Sequence, residues 1–332
     1  MNIIVPMAGM GKRMRPHTLT VPKPLIPIAG KPIVQRLIED IARVCDEKID
    51  EVNFIIGNFG EEIEQDLLKI AESVGARGII SYQHEPHGTA HAILCAEESL
   101  KGNVIVAFAD TLFKADFKMD KEKDGIIWVH RIDDPSAFGV VKLDPYGTII
   151  DFAEKPKTFV SDLAIIGIYY FKSGENLKEE LQYLLDNDIK HGGEFQLTDA
   201  LLNMKNKGMQ LTIGKVEEWL DCGNKNATVY TNQRVLANTA DKLISDNYIN
   251  ENSVIVPPCF IGDNVKISNS VIGPYTSVGS NTIIDHAIIS NSIIQNNTKI
   301  THANLRNTMI GNFVDYEGLV RELNIGDYSV IG

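Results

Sequence analysis

The chain is 332 residues long, 44% apolar and 23% charged, with 44 acidic side chains against 32 basic ones and a formal charge of −12. That length suggests two domains, or one large domain with an appendage, and the apolar content excludes wholesale disorder. The acidic balance argues against nucleic-acid binding, which needs a basic footprint, but leaves room for a small anionic substrate at a local basic loop. No stretch approaches the ~20 apolar residues of a membrane span. Met1–Met7 is too short an apolar run, without a basic start, for a signal peptide. Cys45, Cys95, Cys222 and Cys259 lie far apart with no Cys-x-x-Cys, and the eight histidines show no metal-ligand spacing. A reducing cytoplasm is the expected setting.

Ile3–Val5 opens the chain as a short β-branched run of the kind buried on both faces of a sheet. It runs into Met7-Ala8-Gly9-Met10-Gly11-Lys12-Arg13-Met14-Arg15-Pro16. Glycines after a first strand let the backbone approach an anion, and their exposed N–H groups can cradle phosphate oxygens. Two better-known loops fail the test. A dinucleotide fingerprint needs glycine where Met14 stands; a P-loop needs one at Pro6 and a hydroxyl residue at Arg13. What remains is a phosphate-friendly turn with Lys12, Arg13 and Arg15 at its end. In Pro22-Lys23-Pro24 the two prolines are expected to hold Lys23 in extended backbone, aiming its ammonium at a fixed point. The bland alternative is a solvated basic loop whose prolines only end structure.

Helical spacing over Pro32–Val44, Glu61–Val74 and Thr89–Leu100 alternates with strand-like Val52–Ile56, Val104–Phe108 and Ile126–Val129. This predicts an α/β fold with a mixed, mainly parallel sheet and flanking helices. The strand Val104–Phe108 leads to Asp110, at the sheet end where ligands bind in such folds. Phe138–Phe171, with its Asp144-Pro145-Tyr146-Gly147 turn, predicts an antiparallel extension, and helices return at Leu177–Leu185 and Phe195–Met204. Helix-like Ala227–Ala240 lies in a connector over 225–250. Beyond it aliphatic residues recur every five or six positions: Ile261, Ile267, Ile272, Val278, Ile284, Ile289, Ile294, Ile300, Leu305 and Ile310. Three short edges then make one coil of a triangular β-solenoid over 251–332, preferred to a sandwich, whose strands recur at wider spacing.

Gly9-x-Gly11-x-Arg13-Met14-x-Pro16-x-Thr18 followed by Pro22-Lys23-Pro24-Leu25 resembles the signature of the sugar-phosphate nucleotidyltransferases, or nucleotide-sugar pyrophosphorylases. The family departs from this chain at Met7, where it has a small residue, at Lys12, where it has Thr, and at Ala109, where it has Gly. The resemblance implies a Rossmann-like catalytic domain over 1–224 and a left-handed parallel β-helix of hexapeptide-like repeats at the C-terminus. It implies that Ala8, Gly9, Met10, Gly11, Lys12 and Arg13 wrap the phosphates of a nucleoside triphosphate. Gln83, Pro86 and Gly88, in Tyr82–Ala90, would form the base pocket. Asp110, and Asp221 in Trp219-Leu220-Asp221-Cys222-Gly223, would hold Mg²⁺ with help from phosphate oxygens and water. Gly139, Glu154, Lys155 and Ile165 fall at the sugar-phosphate site, with Ile165 favouring the glucose-1-phosphate thymidylyltransferase branch. Arg13, Lys23 and Lys155 carry the catalytic charge.

The implied substrates are an NTP and a sugar 1-phosphate, with dTTP or UTP and glucose 1-phosphate favoured, and no nucleic-acid or membrane partner. A homo-oligomer is expected, because the solenoid's edge coils need covering. Two rival functions stand beside this one. In the first, the solenoid is the active part, an acyltransferase using a CoA thioester and His286 or His302 as base, alone or in a bifunctional enzyme; both histidines are expected on exposed turns. Alternatively the chain is a non-catalytic nucleotide-sugar sensor. The segment Gly193-Glu194-Phe195-Gln196-Leu197-Thr198-Asp199 also matches the family, and helix capping explains it adequately.

Overall fold

The computed structural model describes residues 1–115, 119–239 and 243–319. The chain divides into two compact units, one of Met1–Ile26 with Pro32–Asn224, the other of Pro27–Lys31 with Lys225–Gly332. The last stretch of the expected solenoid, 320–332, lies outside the described residues, as does Ala240 at the end of the expected connector helix.

In the first unit, chain order runs β1 (Asn2–Pro6), then the hairpin strands β2 (Pro27–Ile28), which is counted with the other unit, and β3 (Lys31–Pro32). Next come α1 (Ile33–Val44), β4 (Glu51–Ile56), α2 (Glu61–Ser73), β5 (Arg77–Tyr82), α3 (Thr89–Leu94), β6 (Val104–Ala107) and β7 (Thr111–Lys114). β8 (Gly125–Arg131), β9 (Gly139–Leu143), β10 (Ile149–Glu154) and β11 (Leu163–Phe171) follow. α4 (Gly174–Asp186), α5 (Leu197–Asn206), β12 (Leu211–Lys215) and β13 (Glu218–Asp221) complete it. The main sheet has the order β10-β9-β11-β6-β1-β4-β5, with β8 on β11 and β12 on β8. β1, β4, β5 and β6 are mutually parallel, while β8, β9 and β10 meet β11 or each other antiparallel, as the turn at Asp144–Gly147 predicts. Ile3, Ile4 and Val5 are wholly buried, so β1 needs no alternation. α1 buries Ile33, Val34, Leu37, Ile38 and Ile41 on one stripe.

After β5 the chain returns to the other side of β1 to form β6. The crevice outside the carboxyl ends of β1 and β6 is therefore a topological switch point, where ligands of open α/β sheets bind. Two local expectations are corrected. The helix starting at Thr89 stops at Leu94 and gives way to a single tight turn at Glu97–Ser99. Ser99 is held there from a distance, its carbonyl accepting from Asn2 Nδ2 at 2.9 Å and its hydroxyl from Asn53 Nδ2 at 3.0 Å. Lys23 is not extended: it opens a one-turn 3₁₀ helix over Lys23–Leu25, closed by Leu25 N–H to Pro22 O at 2.9 Å. Proline is tolerated at the start of a helix because no intrahelical partner awaits its missing N–H.

In the second unit, α6 (Lys225–Asn238) precedes three parallel strand stacks. One face stacks Ile249–Glu251, Lys266–Ser268, Ile283–Asp285, Lys299–Thr301 and Asp315–Glu317; the other two faces repeat the pattern. This is the parallel β-helix expected, with its aliphatic corners Ile267, Ile272, Val278, Ile284, Ile289 and Ile300 buried against one another. Stacking begins inside the expected connector, since Ile244 already bridges Ile261. Asn252, Asn269, His286 and His302 turn the same corner of successive coils with left-handed backbone, a conformation asparagine tolerates. The hairpin tip belongs here too. Ala29 N–H donates to Asn232 Oδ1 at 2.9 Å, and the Phe260 ring fills the space a side chain at Gly30 would need.

Candidate functional site

The glycine turn leaves the carboxyl end of β1 and is folded back by Gly11, whose φ of 57° is left-handed. A side chain there would press on Lys23 Cβ at 3.0 Å and Thr18 Cγ2 at 3.1 Å, so the missing Cβ lets the turn close on the stem of Lys23. Thr18 Oγ1 fixes the turn by donating to Gly11 O at 2.8 Å. Met7 is buried in its base.

Two carboxylates meet beside this turn for a reason of strand register. β13 pairs antiparallel with β7, setting Asp221 opposite Thr111, the neighbour of Asp110; Cys222 N–H donates to Asp110 O at 2.9 Å. Lys23 Nζ reaches Asp110 Oδ2 at 2.5 Å. Asp221 Oδ1 accepts from Gly223 N–H at 3.0 Å. A side chain on Gly223 would stand 3.0 Å from both Asp221 oxygens and 3.3 Å from Arg13 Nη2, which places the guanidinium at the same spot. Burial first, and then the like charge of Asp110, push the Asp221 carboxyl above its usual range; Gly223 N–H, Lys23 and Arg13 pull the other way. Hard oxygen donors crowded into a partly desolvated corner fit a divalent cation such as Mg²⁺. Among the described residues no group of three or more His, Cys, Asp or Glu is arranged to hold a metal.

A cleft of about 280 Å³ opens beside Lys23 and Asp110, lined also by Ala8, Gly9, Gly11, Gln83, Pro86 and Gly88. Met10, Lys12, Arg13 and Asp221 do not line it; the first three are exposed and Asp221 is half-buried. Gln83 follows β5, its N–H bonded to Ile56 O, and its Nε2 donates to Gly88 O at 3.2 Å. Gly88 serves packing: a Cβ would stand 2.4 Å from Phe195 O, where Phe195 N–H donates to His87 O and Ala90 N–H donates to Phe195 O.

A third cluster gathers most of the expected sugar-site residues. A side chain on Gly139 would meet Glu154 Oε2 at 3.1 Å, Ile165 Cδ1 at 3.3 Å and Thr198 Cγ2 at 3.3 Å. Thr198 Oγ1 donates to Glu154 Oε2 at 3.4 Å, and Lys155 Nζ lies 3.0 Å from Glu154 Oε1. Lys155 takes a left-handed φ of 41°, unusual for a long side chain.

The helix-capping reading of Gly193–Asp199 is overturned. Gln196 caps nothing with its side chain; instead Thr89 Oγ1, far away in sequence, accepts from Leu197 N–H at 2.9 Å. Glu194 and Thr89 line the cleft and Thr198 touches Glu154, three residues the sequence argument did not place there. The family-like run 193–199 was the available signal.

A glycine turn, facing acids and cations at the switch point of a mixed sheet define an α/β protein equipped for phosphate groups. The chain belongs to the Nucleotidyl transferase family, whose model matches residues 2–238. It is 29% identical over 267 residues to the "Bifunctional protein GlmU" of Methanococcus aeolicus, covering 77% of this chain and 60% of that protein. It is 30% identical over 276 residues to the glucose-1-phosphate thymidylyltransferase of Streptomyces antibioticus, covering 79% and 73%. The chain thus spans about three-fifths of the length of the first curated relatives it matches. In fold it is similar to the nucleoside-diphosphate-sugar pyrophosphorylase from Vibrio cholerae RC9, with a TM-score of 0.61 at 21% identity, over 70% of this chain and 99% of that one. Among the described residues no helix is long and apolar enough to cross a membrane.

Proposed function

We propose that the chain transfers a nucleotidyl group from an NTP to a sugar 1-phosphate, giving an NDP-sugar and pyrophosphate, with dTTP or UTP and glucose 1-phosphate as the favoured pair. The single observation that carries this reading is the convergence of Lys23, Arg13, Asp110 and Asp221 beside the glycine turn. The names of the relatives from Methanococcus and Streptomyces support it.

In the proposed reaction an oxygen of the sugar phosphate attacks the α-phosphorus, and the bond from that phosphorus to pyrophosphate breaks. The attacking oxygen is already anionic, so no side chain need remove a proton. The work of the protein is positioning and charge neutralisation. Backbone N–H groups of Ala8–Gly11 hold the triphosphate, Arg13 stabilises the leaving pyrophosphate, and Lys23 and Lys155 hold the reacting phosphates. Glu154 accepts from sugar hydroxyls, with Gly139 and Ile165 shaping the space beside it. Asp110 and Asp221 would hold Mg²⁺, which when bound neutralises phosphate charge. We assign this chemistry to residues 1–224, and association between copies of the chain to the solenoid.

Pyrophosphate release measured across the common NTPs and several hexose 1-phosphates, with and without Mg²⁺, tests the reading. Release should require both substrates and the cation. No release with any pair would leave the sensor reading, and acetyl-CoA consumption with amino sugars would favour the acyltransferase.

A further inference from the structure

His91 on α3 has no part in the reaction described above, yet it touches a group that lines the cleft. Gln83 Nε2 lies 3.2 Å from Gly88 O and 3.0 Å from His91 Nδ1. A carbonyl can only accept, so the NH₂ end of the Gln83 amide faces Gly88. The second hydrogen of that NH₂ then points at His91 Nδ1, which must accept it and so carries its proton on Nε2. Both amide hydrogens are used inside the protein. Among the described residues nothing donates to Gln83 Oε1, and Gln83 lines the cleft.

We propose that His91 is a positioning residue that locks the Gln83 amide, so that Gln83 offers the nucleobase an acceptor only and selects bases with a ring N–H. This rests on the reading of the cleft as a nucleotide site. Uracil and thymine present N3–H and guanine N1–H, whereas cytosine and adenine present a bare ring nitrogen at the corresponding edge. An unlocked glutamine could turn over and serve either kind; a locked one cannot. His91 is suited to the role. Its ring is held edge-on against His87 at 5.1 Å between centroids, and His87 Nε2 is itself 2.8 Å from Glu85 Oε2. Burial first, and then the neighbouring His87, hold the His91 imidazole below its ordinary range, so it stays neutral and able to accept; Glu85 opposes this.

The test is calorimetric binding of UTP, GTP, CTP and N3-methyl-UTP to the full chain with Mg²⁺, in the wild type, His91→Phe and His91→Asn. The wild type should bind UTP or GTP at least ~10-fold more tightly than CTP, and UTP more tightly than its N3-methyl form, because a site built around a hydrogen bond rejects ligands that cannot make it. His91→Phe keeps the ring but removes the acceptor, and should erode the preference over CTP by roughly tenfold, through nucleotide KM rather than kcat in the transfer assay. His91→Asn, whose side-chain oxygen can take the same hydrogen, should restore it. Comparing UTP with GTP distinguishes pyrimidine from purine. Indifference of the wild type to N3-methylation, or a preference unmoved in His91→Phe, overturns the lock. Selective binding without pyrophosphate release would keep the lock and sink the transfer reaction instead.

Discussion

Arg13, Asp110 and Asp221 are brought to one corner of the first unit by the turn after β1 and the pairing of β7 with β13. Arg13 is exposed, but its guanidinium is near Asp221 and Gly223, and Lys23 is drawn onto Asp110. If charge neutralisation is the source of catalysis, removing one preorganised contact should cost turnover and spare the fold. Arg13→Ala and Asp110→Asn are each expected to lower kcat by at least ~10², the scale of losing one such contact. Urea melts should stay near the wild-type midpoint, since neither side chain belongs to a buried core. Folded variants with undiminished pyrophosphate release would remove these residues from the chemistry. Arg13 and Asp110 are legible from the residues themselves, a basic turn after one strand and an acid ending another, whereas Asp221 by itself is an ordinary turn acid that only the family resemblance singles out. That Lys23 sits in a 3₁₀ turn, and that Met10, Lys12, Arg13 and Asp221 fall outside the cleft lining, depends on how the distant segments pack.

Elements differ in how openly the sequence declares them. The solenoid is legible because each coil repeats the demand of the last: the aliphatic residue at 267 stacks on those at 284 and 300 in strict register. The buried strands β1, β4 and β6 are legible for a similar reason, as short apolar runs between helical patterns. α5 is the opposite case. Its first free N–H is satisfied by Thr89, which also donates to Gln196 Oε1 at 3.1 Å, and no rule of neighbouring residues could find a cap more than a hundred positions away. Thr89→Ala should therefore destabilise the first unit by about 1 kcal/mol, the usual cost of losing a cap, while Thr89→Ser keeps most of it. Equilibrium unfolding in urea measures this. Equal stability of wild type and Thr89→Ala would mean that water replaces the hydroxyl without cost.

At the scale of the molecule, the division into units departs most from a linear reading, since Pro27–Lys31 is counted with α6 and the solenoid although it follows Lys23 in sequence. Each unit has its own apolar core, and the cysteines report on them separately. Cys45 and Cys222 are buried and Cys95 is half-buried in the first unit, while Cys259 is buried in the second. Burial pushes the Cys45 thiol up to about 12 and the Cys259 thiol up to about 11, and raises Cys95 as well. Such thiols are poor nucleophiles until their surroundings open. A thiol that holds its proton more firmly when folded also stabilises the fold below the unfolded-state value, and that contribution disappears as pH rises through the folded one. Stability should thus fall between roughly pH 9 and 12. At pH 8 without denaturant, iodoacetamide should label Cys45 and Cys259 only through opening of their units, with all four thiols reacting after full unfolding. Peptide mass mapping of a urea series separates the two units by the concentration at which Cys45 and Cys259 each begin to react. Prompt labelling of either in the native protein would show that its core does not exclude solvent as described.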